Sequence, residues 1–147
     1  MGKTIDFSEF LSISASVSSE EMMGRVLTHS RKLTGAEAGT IFLVRREGGK
    51  KWLEATHFQN DRIPVPRAGL RVPLNTASIA GYAAETGKML RIPDAYRISV
   101  KMPFRFNPAS DIALGYTTRS ILAFPMKNGD GVVVGVVQLI NRLDERG

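Results

Sequence analysis

Few side chains in this 147-residue sequence are of the types that make or break bonds, and none has the neighbours such chemistry needs. There is no cysteine, which removes thiol nucleophiles, thiolate metal sites, disulfides and thioether-linked chromophores together. The two histidines, His29 and His57, fall on a predicted helix and a predicted strand, with neither H-x-x-x-H nor H-E-x-x-H around them. Gly-x-Ser-x-Gly does not occur, so no nucleophile elbow is encoded. Asp94 and Asp111 are the inward candidates for an acid pair, and nothing in the spacing fixes their separation. Gly2-Lys3-Thr4 lacks the glycine loop of a phosphate-binding motif, and Gly129-x-Gly131 joins two strands instead of opening a helix. The expectation is no catalytic residue, no metal site, no resident cofactor and no enzyme.

What remains is the chemistry of binding. Residues 132–140 are β-branched and apolar on both alternating faces, with Val132, Val134, Val136 and Ile140 on one side and Val133, Val137 and Leu139 on the other. A strand covered on both faces belongs in the middle of its sheet. Gln138 breaks the pattern on the side of Val136 and Ile140. A buried amide without partners costs a few kcal/mol, so either a neighbouring chain segment satisfies it or a ligand does. Ala77 to Ala80 is the predicted first turn of a helix, whose free N–H groups and dipole attract an anion. Arg97, Lys101 and Arg105 form the densest basic stretch with few acids and would add to that attraction.

Twenty basic against fourteen acidic residues give a net charge of +6, which favours an anionic partner. The charges are interspersed and no aromatic-plus-basic ladder accompanies them, which argues against nucleic acid. No apolar run reaches membrane-span length and the N-terminus lacks a signal peptide's apolar core. A soluble cytoplasmic protein is expected, with no membrane partner.

These residues must be positioned by a regular scaffold. Residues 6–15 read as an amphipathic helix with Phe7, Phe10, Leu11 and Ser14 on one face. Ser18-x-x-Glu21 opens a second helix with Met22, Val26, Ser30 and Leu33 in its stripe and Gly35 as its stop. Residues 39–44 and 52–58 flank polar 45–51 as a hairpin. A proline-bearing connection at 62–68 leads to a brief strand at 70–74. A helix capped by Asn75 or Thr76 then runs to Glu85, with Ile79, Ala80 and Ala83 inward and Gly87 as its stop. After a short strand at 89–92, residues 97–116 are irregular, with one short helix opened by Asn107-Pro108 and ended by Gly115. Strands at 121–126 and 132–140 close the chain around the Asn/Asp/Gly turn 127–131. The order predicts an α+β fold on an antiparallel sheet, helices on one face and loops on the other.

With the last hairpin in place, a resemblance emerges. Ile121-Leu122-Ala123-Phe124-Pro125-Met126, a glycine-containing turn and Val134-Gly135-Val136-Val137-Gln138-Leu139-Ile140-Asn141-Arg142 resemble the closing strands of a GAF domain. Ser78-Ile79-Ala80-Gly81-Tyr82-Ala83-Ala84-Glu85-Thr86-Gly87 and Ile92-Pro93-Asp94-Ala95-Tyr96 are similar to that family's middle helix and the turn after it. Phe106-Asn107, Asp111 and Gly115-Tyr116-Thr117-Thr118-Arg119-Ser120-Ile121-Leu122 are most similar to the cyclic-nucleotide-binding GAF domains of phosphodiesterases and adenylyl cyclases. The likeness runs from about Ser19 to Arg142.

That resemblance implies a GAF-like (PAS/profilin-like) α+β domain over residues 1–147, with a helical N-terminal segment at 6–34 and sheet and pocket at 38–142. A central antiparallel sheet of about six strands would carry helices on one face and a ligand pocket on the other. Carried over by position, the pocket would use Thr40, Phe58 and Gln59 on the first hairpin, with Gln59 where the family often has a base-contacting aspartate. Ile79 and Ala80 would offer backbone groups to a phosphate, Asp111 and Thr118 would read a purine, and Gln138 would point into the same space. Asn107 stands where a stacking aromatic is common, and Leu114 where a small polar residue is. The family motif that opens with Asn141-Arg142 continues past Gly147, so the sequence reads as a piece of a longer signalling protein. The implied role is sensory: a cytoplasmic module in signal transduction that binds an anionic small molecule such as a cyclic nucleotide and controls a fused output domain. Homodimerisation through the N-terminal helices is expected. The alternative is a ligand-free scaffold serving as a dimerisation or protein-interaction module, its pocket filled by Leu114, Phe106 or Met102. The methionine sulfoxide reductases of the family work through cysteines, which this chain lacks.

Overall fold

A computed structural model describes residues 19–64 and 69–142. The helix expected at 6–15, with Phe7 and Leu11, lies outside the described residues. Helix α1, Ser19–Thr34, carries Glu20 and Glu21 in its first turn and Arg31 and Lys32 in its last, charges that complement the helix dipole at each end. Its buried stripe is Met22, Met23, Val26, Leu27 and Ser30, and Gly35 ends it at φ 72°.

Strands β1, Ala36–Glu47, and β2, Lys50–Asn60, form the first hairpin. Both strands run farther than their apolar cores, because Gly48 and Gly49 take positive φ (56° and 78°) and close the hairpin in two residues. The expected seven-residue turn is therefore mostly strand. Short edge strands β3, Arg71–Pro73, and β4, Leu90–Ile92, flank the sheet, and β5, Ile121–Lys127, and β6, Val133–Arg142, form the closing hairpin. All pairings are antiparallel, in the order β3-β2-β1-β6-β5-β4. The six-stranded antiparallel α+β sheet matches the expectation, and β6 sits in its middle between β1 and β5. One detail of β6 differs: the register shifts so that Met126 faces Gly135 but Lys127 faces Val133. The extra residue, Val134, turns toward α1, away from Val136.

The apolar side chains divide into two cores, one on each face of the sheet. On one face α1 packs through Val26 and Leu27 against Ile41, Phe124, Met126, Val137 and Leu139. On the other, helix α2, Ile79–Thr86, lays Ile79, Ala80 and Ala83 over Phe42, Leu53, Ala55, Ile121, Ala123 and Val136. The helices are thus shared between the faces rather than gathered on one. Val136 and Val137, adjacent and oppositely directed, are both fully buried, each contributing about 2 kcal/mol by area. Helix α2 starts later than Asn75 or Thr76. Ser78 is its cap and its Oγ accepts from Gly81 N at 3.0 Å, while Asn75 Oδ1 accepts from Ala77 N in the preceding turn. Among the described residues no helix is long and apolar enough to cross a membrane.

Candidate functional site

Three of the expected site residues stand in one row across the centre of the sheet. Phe58 on β2 pairs with Thr40 on β1, Thr40 pairs with Gln138 on β6, and Gln138 pairs with Ala123 on β5. Strand alternation puts this row on the face that carries α2, alongside Phe42, Val136 and Ala123 of its core. Thr40 is buried and Gln138 half-buried, and Ala123 beside Gln138 contributes only a methyl group. Among the described residues neither the Thr40 hydroxyl nor the Gln138 amide makes a side-chain hydrogen bond. A polar pair on a central strand, walled by apolar side chains and left unpaired by its own chain, is equipped to bind a polar group from outside.

The start of α2 lies on the same face. Ile79 and Ala80 are buried, and as first-turn residues their N–H groups have no intrahelical acceptor. The loop that follows β4 is tied to this turn, since Arg105 N donates to Ala77 O at 3.0 Å. Phe104 is buried there, edge-on to Tyr82 with ring centres 5.0 Å apart. The Arg105 guanidinium donates to the carbonyls of Ser99, Val100, Met102 and Phe104 at 2.6–3.3 Å. It holds the loop together and is not the free phosphate-facing cation expected from the sequence. Arg97, nearly fully exposed, lies 3.7 Å from Asp94.

Asp111 and Thr118 are brought together, but on each other. Helix α3, Ala109–Leu114, buries Asp111, whose Oδ1 accepts from Thr118 Oγ1 at 2.8 Å and Oδ2 from Thr118 N at 2.7 Å and from Tyr96 Oη at 2.6 Å. The bond to Asp111, followed by burial, holds the Tyr96 phenol above its ordinary pKa. Asn107 is exposed and its Oδ1 accepts from Ala109 N in the turn before α3, but the cap position falls one residue later than expected, on Pro108, and the helix starts at Ala109. Leu114 ends α3 half-exposed.

Gln59 requires a correction. It follows Phe58 directly on β2, so the two point to opposite faces and cannot both line one pocket. Its Oε1 accepts from Arg31 Nη1 at 2.9 Å and its Nε2 donates to Thr28 Oγ1 at 2.9 Å, beneath α1. There it borders an open groove with Gly24, Arg25 and Lys32, separate from the Thr40–Gln138 row.

A second polar cluster had no signature in the sequence. Glu37, buried at the start of β1, accepts from the Tyr116 hydroxyl and from Asn141 Nδ2 at 3.3 Å, and Arg62 approaches it at 3.5 Å. Asn141 Nδ2 also donates to Tyr116 Oη and Thr117 O, each at 2.9 Å, and its Oδ1 accepts from Arg119 N at 2.6 Å. From the α1 side Arg31 Nη2 donates to Glu37 O at 2.8 Å. The cluster fixes the segment between α3 and β5 to β1. No residue type or spacing along the chain marks Glu37 as buried, so only the three-dimensional pairing reveals it.

Burial, with the bond to Glu37 second, raises the Tyr116 phenol well above its ordinary 10.0. Folding therefore favours the protonated phenol. That stabilisation is complete below about pH 10 and is lost as pH rises from there toward the folded-state value, because the unfolded phenol ionises first. Urea midpoints measured between about pH 9 and pH 11 should fall more steeply for the parent chain than for Tyr116→Phe. Equal slopes would show that Tyr116 does not titrate as its surroundings require.

Comparison with known proteins adds to this geometry. A family model for the GAF domain matches residues 18–146. The chain is 36% identical over 115 residues to a dual 3',5'-cyclic-AMP and -GMP phosphodiesterase 11A of Takifugu rubripes, covering 75% of this chain and 12% of that protein. It is 32% identical over 125 residues to a cGMP-specific 3',5'-cyclic phosphodiesterase of Drosophila mojavensis, covering 80% of this chain and 11% of that protein. The chain thus spans about a tenth of the length of these curated relatives. Among solved structures, the nlh2 GAF domain of A. aeolicus in an inactive state superposes with a TM-score of 0.64 at 21% identity, over 95% of this chain and 78% of that one, a likeness of fold.

Proposed function

The chain belongs to the GAF domain family, and from that premise we propose that it is the sensory, regulatory part of a cytoplasmic signal transduction protein. In this proposal it binds an anionic small molecule of the cyclic-nucleotide class and passes that state to a fused output domain. The observation that carries the proposal is the unpaired Thr40–Gln138 couple on the α2 face of the central strands. The phosphodiesterase relatives, named for cyclic AMP and cyclic GMP, support the ligand class.

The ligand's polar edge takes up hydrogen bonds with Gln138 and Thr40, and Phe58 flanks it. Its anionic group is drawn to the N–H groups of Ile79 and Ala80, where the helix dipole is positive. Asp111 lies on the 97–116 segment that closes over the ligand, and a preference of the ligand for the closed arrangement biases the output domain by that difference in affinity. Of the side chains that would fill the pocket of a ligand-free scaffold, Leu114 and Met102 are 44% and 37% exposed, whereas Phe106 packs against the α2-face core.

Titration calorimetry with cyclic AMP and cyclic GMP tests the proposal. Micromolar or tighter binding of at least one is expected, weakened about tenfold, or ~1.4 kcal/mol, by Gln138→Leu, which removes the amide but keeps most of the volume. Gln138 is a better probe than Asp111, whose truncation would orphan three donors whether or not a ligand binds there. No heat with either nucleotide would remove the cyclic-nucleotide reading.

A further inference from the structure

Within helix α3 itself one side chain, the Asp111 carboxylate, reaches the rest of the domain, and the Glu37 cluster holds the chain just beyond the helix at Tyr116. Asp111 is its buried residue, whereas Ile112 is 77% and Leu114 44% exposed. No other helix or strand packs extensively against α3 among the described residues. Of the three donors on Asp111, two belong to Thr118, seven residues along the same segment, and close α3 onto its own continuation. The third, the Tyr96 hydroxyl, comes from the other side of the loop, fifteen residues away. Tyr96 is itself well anchored: Asp94 Oδ1 accepts from its N–H at 3.0 Å, and Ala95, buried beside it, donates N–H to Arg119 O at 2.7 Å. Its ring meets Phe106 edge-on at 5.2 Å.

We propose that Tyr96 is the latch of α3 and the gatekeeper of Asp111: its hydroxyl fastens α3 to the turn after β4 while taking, at Oδ2, an acceptor position that an incoming N–H would use. The ligand part of this proposal rests on the small-molecule reading above. An ionised carboxylate accepts hydrogen bonds and donates none. A ligand edge with N–H groups can replace the phenol at Asp111 Oδ2, one donor for another, and leave α3 fastened through the ligand. An edge that offers only acceptors faces the carboxylate oxygens and leaves the latch shut. Tyr96 and Asp111 together therefore select for a donor-bearing edge, and the phenol sets the threshold that the edge must overcome.

Tyr96→Phe keeps the ring and its contact with Phe106 and removes only the hydroxyl. Without any ligand, amide hydrogen exchange should accelerate about tenfold at Ile112 and Thr118, with Asn141, held by the Glu37 cluster, unchanged. Unaltered exchange in the α3 segment would overturn the latch. With cyclic GMP, whose base edge carries N–H donors, Tyr96→Phe should bind several-fold more tightly than the parent, because no internal bond has to be exchanged. Weaker or equal binding would overturn the gatekeeping. If cyclic GMP binds neither protein, the ligand reading falls for this nucleotide, and the exchange rates still decide whether the latch exists.

Discussion

Gly81→Ala should destabilise the domain by about 3 kcal/mol, although the same change in an ordinary helix interior stabilises by about 1 kcal/mol. A Cβ at Gly81 would lie 2.1 Å from Asn75 O, 2.7 Å from Ser78 Oγ and 3.1 Å from Pro73 O. Two of those neighbours are backbone, which cannot swing aside as a side chain can. Relief requires α2 to move off the 73–78 connection, and that movement breaks the Ser78 cap and withdraws Ile79 and Ala80 from the core. The first turn of α2 is the proposed anion-facing element, so the substitution should weaken nucleotide binding as well. Urea denaturation gives the stability change directly. A neutral or stabilising result would mean that α2 is not seated against this connection.

Asn141→Ala is expected to cost about 3 kcal/mol. The side chain supplies donors to Tyr116 Oη, Thr117 O and Glu37, and an acceptor to Arg119 N, all lost together. Asn141 also adopts φ 57°, a left-handed conformation that alanine occupies at a cost of about 1 kcal/mol. The two contributions can be separated, since Asn141→Gly relieves the backbone cost and keeps the loss of hydrogen bonds. Its stability should fall between Asn141→Ala and the parent. If both variants unfold at the parent's urea midpoint, the Glu37 cluster is not a structural joint.

Much of the scaffold was legible in the sequence because it is written in local chemistry. Gly35, Gly87 and Gly115 stop their helices with positive φ where a glycine is placed for it, and the β-branched run around Val136 and Val137 goes to the centre of the sheet. Structure and sequence pattern part where a single residue changes a phase. The Gly48-Gly49 pair closes a hairpin in two residues, and the bulge at Val134 reverses its facing relative to Val136. The family pattern places Gln59 in the pocket, but adjacency to Phe58 on a strand sends it to the α1 face.

The candidate site was legible only in part, for a different reason. Thr40, Phe58 and Gln138 meet because of cross-strand register, which follows from pairing a period-two pattern with its buried face. The partners of Asp111, Glu37 and Asn141 depend on contacts between segments as many as 104 residues apart. No spacing along the chain encodes them. Arg105 shows the same limit: its sequence neighbourhood suggests a free cation, while its fork is spent on the carbonyls of its own loop.

The most direct test of the proposed site follows the nitrogen–proton spectrum of the protein as cyclic AMP or cyclic GMP is added. Saturable shifts are predicted for the Gln138 side-chain amide and the backbone amides of Ile79 and Ala80, while the Gln59 side-chain amide under α1 stays in place. Saturable binding that shifts Gln59 and leaves Gln138, Ile79 and Ala80 unmoved would contradict the account, as would a spectrum that neither nucleotide changes.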